Sequence, residues 1–443
     1  MSTLQDVESL LAVQDRRDMP IILRSYLTGF ISNELYSSAL HFLTALASIC
    51  TRDTNEEYAT SYKTSSRGAV FLVSGCGPVP HSVRAYLENQ IFPILHHLAQ
   101  HPVALDNHDD LWRNETVRTL LLHIFVFTNL RYKHRMYLEA SDVWTRRVTA
   151  AKIKATGPHG IVFDNLLRDL ELMKKYTAQL DPRTSDVTID NQLFASFLSV
   201  GARIHRTCRE YQILDLFEEI DNEDGWSQIS QRLSRDAVPI VVDMIELEKM
   251  DGSLKKDFSF ARYMMNVVGI FEYTVHLVRF AQSFPHMFVP GLPLVYCESE
   301  EQTVTLHTSQ ALQACALTDD YFAPDVQSIT AYPHPAVNMV LHLIKSVMEF
   351  DIQPVIGCSS LLCAGCDGCI VQFSMLHAAW KLDLSRKIPE VFCTPGATRK
   401  VQFPWVFPRF PLDENATTLW RERIFVDVKR ELENLAKGKP LFL

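Results

Sequence analysis

The sequence predicts a mainly α-helical protein, with a multi-helix body over residues 1–285 and a small mixed α/β third over 286–443. Three observations predict it. Apolar residues recur at three- and four-residue spacing through most of the body, the period of a helix face. Pro285, Pro290 and Pro293 then interrupt the pattern. Beyond them come Leu294-Val295-Tyr296 and Thr303-Val304-Thr305-Leu306, short runs rich in β-formers.

Thr3 precedes Leu4, Val7, Leu10 and Leu11, which start a short amphipathic helix. A second helix follows Pro20, with Ile22, Tyr26 and Phe30 on its apolar face. Ser32 caps a third, carrying Leu35, Phe42, Leu46 and Ile49. The stretch 51–66 is polar and reads as an exposed loop. Ala69 to Val73 reads as a strand, closed by Ser74-Gly75-Cys76-Gly77-Pro78. A helix over about 82–99 contains Pro93, which should kink it, because proline lacks a donor and clashes with the preceding turn. Residues 116–130 are apolar nearly all round and read as a central buried helix.

Further helices are expected over about 135–155, 160–179 and 189–220, the last breaking at Gly201. An acidic connector holding Glu218, Glu219, Asp221, Glu223 and Asp224 follows. Helices resume over about 226–234, 238–250 and 256–283. Pro335 suits the first position of a helix over about 335–349. Segments 353–373 and 390–405 read as strand and loop, and a helix over about 417–436 closes the chain.

Composition narrows the class. The chain has 443 residues, 47% hydrophobic and 10% aromatic, which excludes disorder as its dominant state. A chain of this length suggests two or three docked lobes. A formal net charge of −9 argues against a protein whose whole surface grips a polyanion. Ten cysteines are too few for a disulfide scaffold, so mostly free thiols are expected. The N-terminus lacks the basic and apolar regions of a signal peptide. The apolar run from Leu120 to Phe127 is far short of the about 20 residues of a membrane span. These features suit a soluble protein, cytoplasmic or within a virion, with no membrane partner.

Several motifs were weighed. Cys358, Cys363, Cys366 and Cys369 crowd into GCSSLLCAGCDGC. Cysteines this close can turn toward one metal ion, but zinc sites usually add a second pair some 12–20 residues away. Cys393 or His377 would have to complete the set through folding. The cluster is therefore read as packing thiols in a glycine-rich turn, and no metal or cofactor is assigned. Gly75-Cys76-Gly77 stands where a dinucleotide fingerprint would, but position 80 is proline. Cys76 as a nucleophile would need a histidine supplied by the fold. His108-Asp109 suits an HD-type metal phosphohydrolase, whereas its polar setting suits an exposed loop before a helix. Asp319-Asp320 lacks a third acid at position 323. No Walker, H-E-x-x-H or G-x-S-x-G motif occurs.

Residues 131–154 hold seven basic side chains against two acidic ones, with Tyr132, Tyr137 and Trp144 among them. Arg131, Lys133, Arg135, Arg146 and Arg147 are thus candidate nucleic-acid contacts, or one solvated face of a helix. The segment VQFPWVFPRFPL over 401–412 alternates Phe403, Trp405, Phe407 and Phe410 with prolines that deny it a helix. Four large aromatics on an extended chain need a groove. They form either a strap across their own subunit or an arm buried on a neighbour, and both readings stay open.

The arm, the polar 51–66 stretch and the lack of a converging catalytic set suggest a non-catalytic structural protein. It would self-assemble into a large homo-oligomer, such as a helix-rich viral capsid or shell subunit. Its partners would be its own copies, with enclosed nucleic acid and no sequence-specific readout. The alternatives are a helical HD-type hydrolase and a partner-binding adaptor with a cysteine metal site.

Overall fold

A computed structural model describes residues 34–65, 68–105, 108–136, 158–180, 191–210, 260–289, 291, 294–307, 326–346, 350–363, 365–371, 392–395, 405–406, 418, 422 and 426. The architecture is mainly α with a mixed α/β part. No helix among the described residues is long and apolar enough to cross a membrane. The helices expected near 4–11, 21–30, 226–234 and 238–250 lie outside the described residues, as do most of 137–155 and the acidic connector. The chain forms two compact units: Met1–Cys50 with Asn55–Ala99 and Ser283–Leu443, and Thr51–Thr54 with Gln100–Gln282.

The first unit is built on strands β1 (Tyr58–Ser65) and β2 (Gly68–Gly75), an antiparallel hairpin registered from Tyr58↔Gly75 to Ser65↔Gly68. Gly68 takes φ 123° at the turn, a left-handed conformation that suits glycine. The second half of the expected loop at 51–66, Tyr58–Ser65, is thus strand. Its polar composition misled, because β1 is covered on both faces. Tyr58, Ala59, Thr60, Ser61, Tyr62 and Lys63 are all buried. The polar groups stay satisfied: Thr60 Oγ1 donates to Leu43 O at 2.7 Å, Ser61 Oγ to Val355 O at 2.7 Å, and Lys63 Nζ to Ser346 Oγ at 3.0 Å.

Strand β3 (Leu294–Cys297) runs parallel to β2. On the other side β1 pairs antiparallel with β6 (Asp351–Ile352) and β7 (Gly357–Cys358), and Val355 bridges in parallel to Cys393. A separate hairpin joins β4 (Gln302–His307) to β5 (Val326–Ala331).

Helix α1 (Glu34–Ile49) packs on β1 and β7, and α9 (Pro335–Lys345) packs on β1, β2 and β3. Successive strand residues point to opposite faces. Thr60 meets α1, whereas Lys63 meets Ser346 at the end of α9, so the two helices cover opposite faces of the sheet. On the α1 face, Phe71 meets Phe42 at 5.5 Å, Phe92 at 5.4 Å and Phe288 at 5.6 Å between ring centroids. Gly357 has no room for a side chain, since a Cβ there would stand 2.1 Å from the Leu43 carbonyl carbon.

The predicted kink near Pro93 takes the form of a π turn. Helix α2 (His81–Tyr86) passes through Leu87–Ile91 into α3 (Phe92–Gln100), and the Phe92 N–H bonds back five residues to Leu87 O.

The second unit contains α4 (His108–Arg113), α5 (Glu115–Met136), α6 (Pro158–Gln179), α7 (Asn191–Glu210) and α8 (Phe260–Ser283). Asn114 caps α5, its Oδ1 accepting the Thr116 N–H at 3.0 Å. Helix α5 is not buried all round: Val126 and Leu130 are 38% and 37% exposed. Phe125, Phe197 and Phe271 line the core, with Phe125 4.6 Å from Phe197. Gly201 does not break α7. It is the point where the helix admits the Phe271 ring, since a Cβ there would fall 2.0 Å from Phe271 Cζ.

A buried charge cluster joins α7 to α8. Glu272 meets His205 Nε2 at 2.5 Å, His276 Nε2 at 3.0 Å, and the Arg209 guanidinium. Burial alone would raise the Glu272 carboxyl, but hydrogen bonds and charge from His276 and His205 hold it well below the usual carboxylate range.

Two expectations follow. Gly201→Ala should lower unfolding free energy by about 1–3 kcal/mol, read from urea denaturation, because Phe271 must leave its seat. Glu272→Gln should cost about 3–5 kcal/mol, since Arg209 loses its counter-charge and the buried histidines lose their acceptor. The depressed carboxyl contributes stability above the unfolded-state pKa of about 4.3 and loses it as pH falls below that value. The variant should therefore show a flatter acid limb in stability against pH.

Candidate metal centre

Two helix starts converge in the first unit. The first is α9, whose N-cap is His334, extended at φ −62° and ψ 149°, with Pro335 at the first helical position. His334 O accepts the Asn338 N–H at 3.0 Å and begins the helical ladder. The second is a helix over 365–371, numbered α10. Cys363 starts it: its carbonyl accepts the Asp367 N–H at 3.0 Å, and its sulfur accepts the Cys366 N–H at 3.4 Å. A thiol here stands in for the usual Ser or Asp cap. The expected glycine-rich turn is therefore a capped helix start.

Pairing with β1 delivers the cysteines. The Ser359 N–H donates to Tyr58 O at 2.9 Å, and Ser359 Oγ accepts the Tyr58 N–H at 3.0 Å. Ser360 Oγ donates to Glu57 Oε1 at 3.0 Å. These bonds continue the β1–β7 ladder up to the cysteine segment.

His334, Cys363 and Cys366 then form a buried three-donor set, with their ligand atoms within 4.8 Å of one another. The sulfurs are 3.4 Å apart, and His334 Nδ1 lies 3.5 Å from Cys363 Sγ and 3.2 Å from Cys366 Sγ. With Zn–S near 2.3 Å and Zn–N near 2.0 Å, a tetrahedral ion places two sulfurs about 3.8 Å apart and sulfur and nitrogen about 3.5 Å apart. The donors fit such an ion with shifts of a few tenths of an ångström. The positive ends of two helix dipoles also favour thiolate there.

Burial pushes the Cys366 thiol well above its ordinary range, and the neighbouring Cys363 adds to the rise. Burial, with Cys363 next, pushes the Asp367 carboxyl up to about 6. Burial, then Glu57 and Cys363, push the Cys76 thiol up to about 12. A buried Cys366 thiol with a raised pKa is a poor nucleophile. Metal binding is the chemistry that deprotonates it.

Most other candidates fall elsewhere. Trp405 is fully buried in its own chain, and a Cβ on Gly365 would meet its Cε2 and Nε1 at 3.0 Å. That contact belongs to the strap reading. Phe403, Phe407 and Phe410 lie outside the described residues. Arg131 is buried at 7% exposure, with its guanidinium on Thr51 and its N–H on Arg52 O. It is therefore turned inward and does not face a phosphate backbone. Lys133 and Arg135 are partly exposed on α5, and Arg146 and Arg147 lie outside the described residues. His108 and Asp109 open α4, but their side chains are not described.

Sequence reasoning looked to His377 or Cys393 for a partner and missed His334. The available signal was a histidine-proline pair just before an apolar helix. The separation of 29 positions from His334 to Cys363 exceeds the usual spacing of a zinc-ligand pair. Comparison of the chain with family models, curated proteins and solved structures finds no match.

Proposed function

We propose that the protein is a zinc-binding protein whose His334–Cys363–Cys366 centre serves binding and architecture without chemical turnover. The observation that carries this reading is the buried three-donor set at two helix N-termini. Thiolate and imidazole donors at this spacing suit zinc over the oxygen-loving divalent ions. Among the described residues no fourth histidine, cysteine or carboxylate joins the set. Zinc held by three side chains keeps an open position, where it supplies Lewis acidity to water or to a polar ligand group.

One histidine with a C-x-x-C pair is also the donor set of zinc nucleobase deaminases. Those enzymes need a glutamate two residues after the histidine to move protons. Here that position is Ala336, buried at 4% exposure. An alanine methyl can neither take up nor release a proton in catalysis, which supports a non-catalytic role. A second, catalytic reading draws on Asp367, a carboxyl next in sequence to Cys366 and electrostatically linked to Cys363. It would take over general acid–base work.

Self-assembly into a homo-oligomeric capsid or shell is a separate proposal. It loses the polar 51–66 loop as a support, and Trp405 is engaged within its own chain. The arm's other aromatics keep it open, and molar mass in solution tests it.

The test of the zinc reading is elemental analysis of the purified full chain. One zinc per chain is expected, with stoichiometric metal lost in His334→Ala and Cys366→Ser. Chelation should lower the melting temperature, because metal bound only to the folded state stabilises it. Wild-type protein without metal defeats the reading. Zinc-loaded protein that releases ammonia from nucleosides, and stops doing so as Asp367→Asn, establishes the catalytic alternative.

A further inference from the structure

We propose that the candidate metal centre is a redox switch, in which a peroxide joins Cys363 and Cys366 in a disulfide and the zinc ion leaves. This rests on the zinc reading above and gives that site a regulation. The observation behind it is the sulfur contact. Cys363 Sγ and Cys366 Sγ stand 3.4 Å apart as free thiols. A tetrahedral zinc ion spreads two sulfurs to about 3.8 Å, and a disulfide draws them to about 2.05 Å. The fold thus holds the pair closer than the metal sets it, and about 1.4 Å of approach closes the bond. The Cys366 N–H lies on Cys363 Sγ at 3.4 Å, which keeps that sulfur against the turn carrying its partner.

The donor count makes the response complete. The set is His334, Cys363 and Cys366, with no fourth donor among the described residues. Thiolate is the form of cysteine that binds metal, so a disulfide removes two donors of the three. One imidazole remains, and it does not hold the ion alone. The chemistry balances with hydrogen peroxide as oxidant. One thiolate attacks a peroxide oxygen. An S–O bond forms, the O–O bond breaks, and the departing hydroxide takes a proton from solvent to become water. The second thiolate attacks the oxidised sulfur. The S–S bond forms, the S–O bond breaks, and a second hydroxide leaves and is protonated to water. The two thiolates lose two electrons and the peroxide gains them. Both residues are buried, so oxidation proceeds when the helix start opens locally, and that opening sets its rate.

The experiment treats the zinc-loaded full chain with a few equivalents of hydrogen peroxide. A metallochromic chelator follows zinc release, and peptide mapping by mass spectrometry locates the oxidised cysteines. Release should track the loss of the Cys363 and Cys366 thiols, one ion per pair, with the two residues joined to each other. A dithiol reductant should restore both thiols and zinc binding. Cys76→Ser removes an exposed thiol outside the donor set, and its release rate should stay within about twofold of wild type. Zinc that stays bound while both thiols persist overturns the proposal and leaves the zinc reading standing. A bond from either sulfur to Cys76 or Cys369 overturns it too, as does release with both sulfurs carried on to sulfinic acid, which a dithiol does not reverse. Wild-type protein without metal takes both readings down.

Discussion

The first unit depends on one constraint: β1 is polar in sequence yet buried on both faces and paired along both edges. A strand so placed has no water to satisfy it. Each hydroxyl and ammonium must find a partner inside, and Thr60, Ser61 and Lys63 do so on α1, on Val355 and on the end of α9. These bonds fix register as well as energy. A slip of one residue would turn Thr60 away from α1 and drive Lys63 toward it.

That register reaches the candidate metal centre directly. The ladder that begins at Thr64↔Asp351 ends with Ser359 on Tyr58, and four residues later Cys363 caps its helix. His334 arrives from the other covered face, at the start of the helix that packs on β1 and β2. Neither ligand group sits on a free loop, and sites built on regular elements hold their geometry more tightly. A metal bridging 334 and 363–366 would cross-link the cover to the sheet.

Helix content was legible because it needs only local periodicity. The helices at 34–49, 158–179, 191–210 and 260–283 stand close to their predicted spans, and Pro335 opens α9 as expected. What local reading missed depends on distant cover. The Tyr-x-Thr-x-Tyr alternation of β1 is a strand signal, but its Ser, Thr and Lys suggest solvent to a reader who cannot see two helices over it. Gly201 reads as a breaker until Phe271, 70 residues on, is known to occupy its face. The cysteine run was visible and the histidine beside it was not, because His334 owes its place to sheet topology. The aromatic-proline run was read as needing a groove, and for Trp405, in its described part, that groove is the glycine between two cysteines.

The separation of β1 from its partners bears on the order of synthesis. Ser61 waits for Val355, 294 residues later, and Tyr58 waits for Ser359. Everything from Gln100 to Gln282, a unit with its own core, leaves the ribosome in between. At about 5–20 residues per second the hairpin stands without its edge partners for some 15–60 s. The helical insert has time to fold first, and the sheet closes around a chain whose middle is already made. A nascent β1–β2 hairpin keeps open edges through that interval, and open strand edges are where chains pair wrongly with one another.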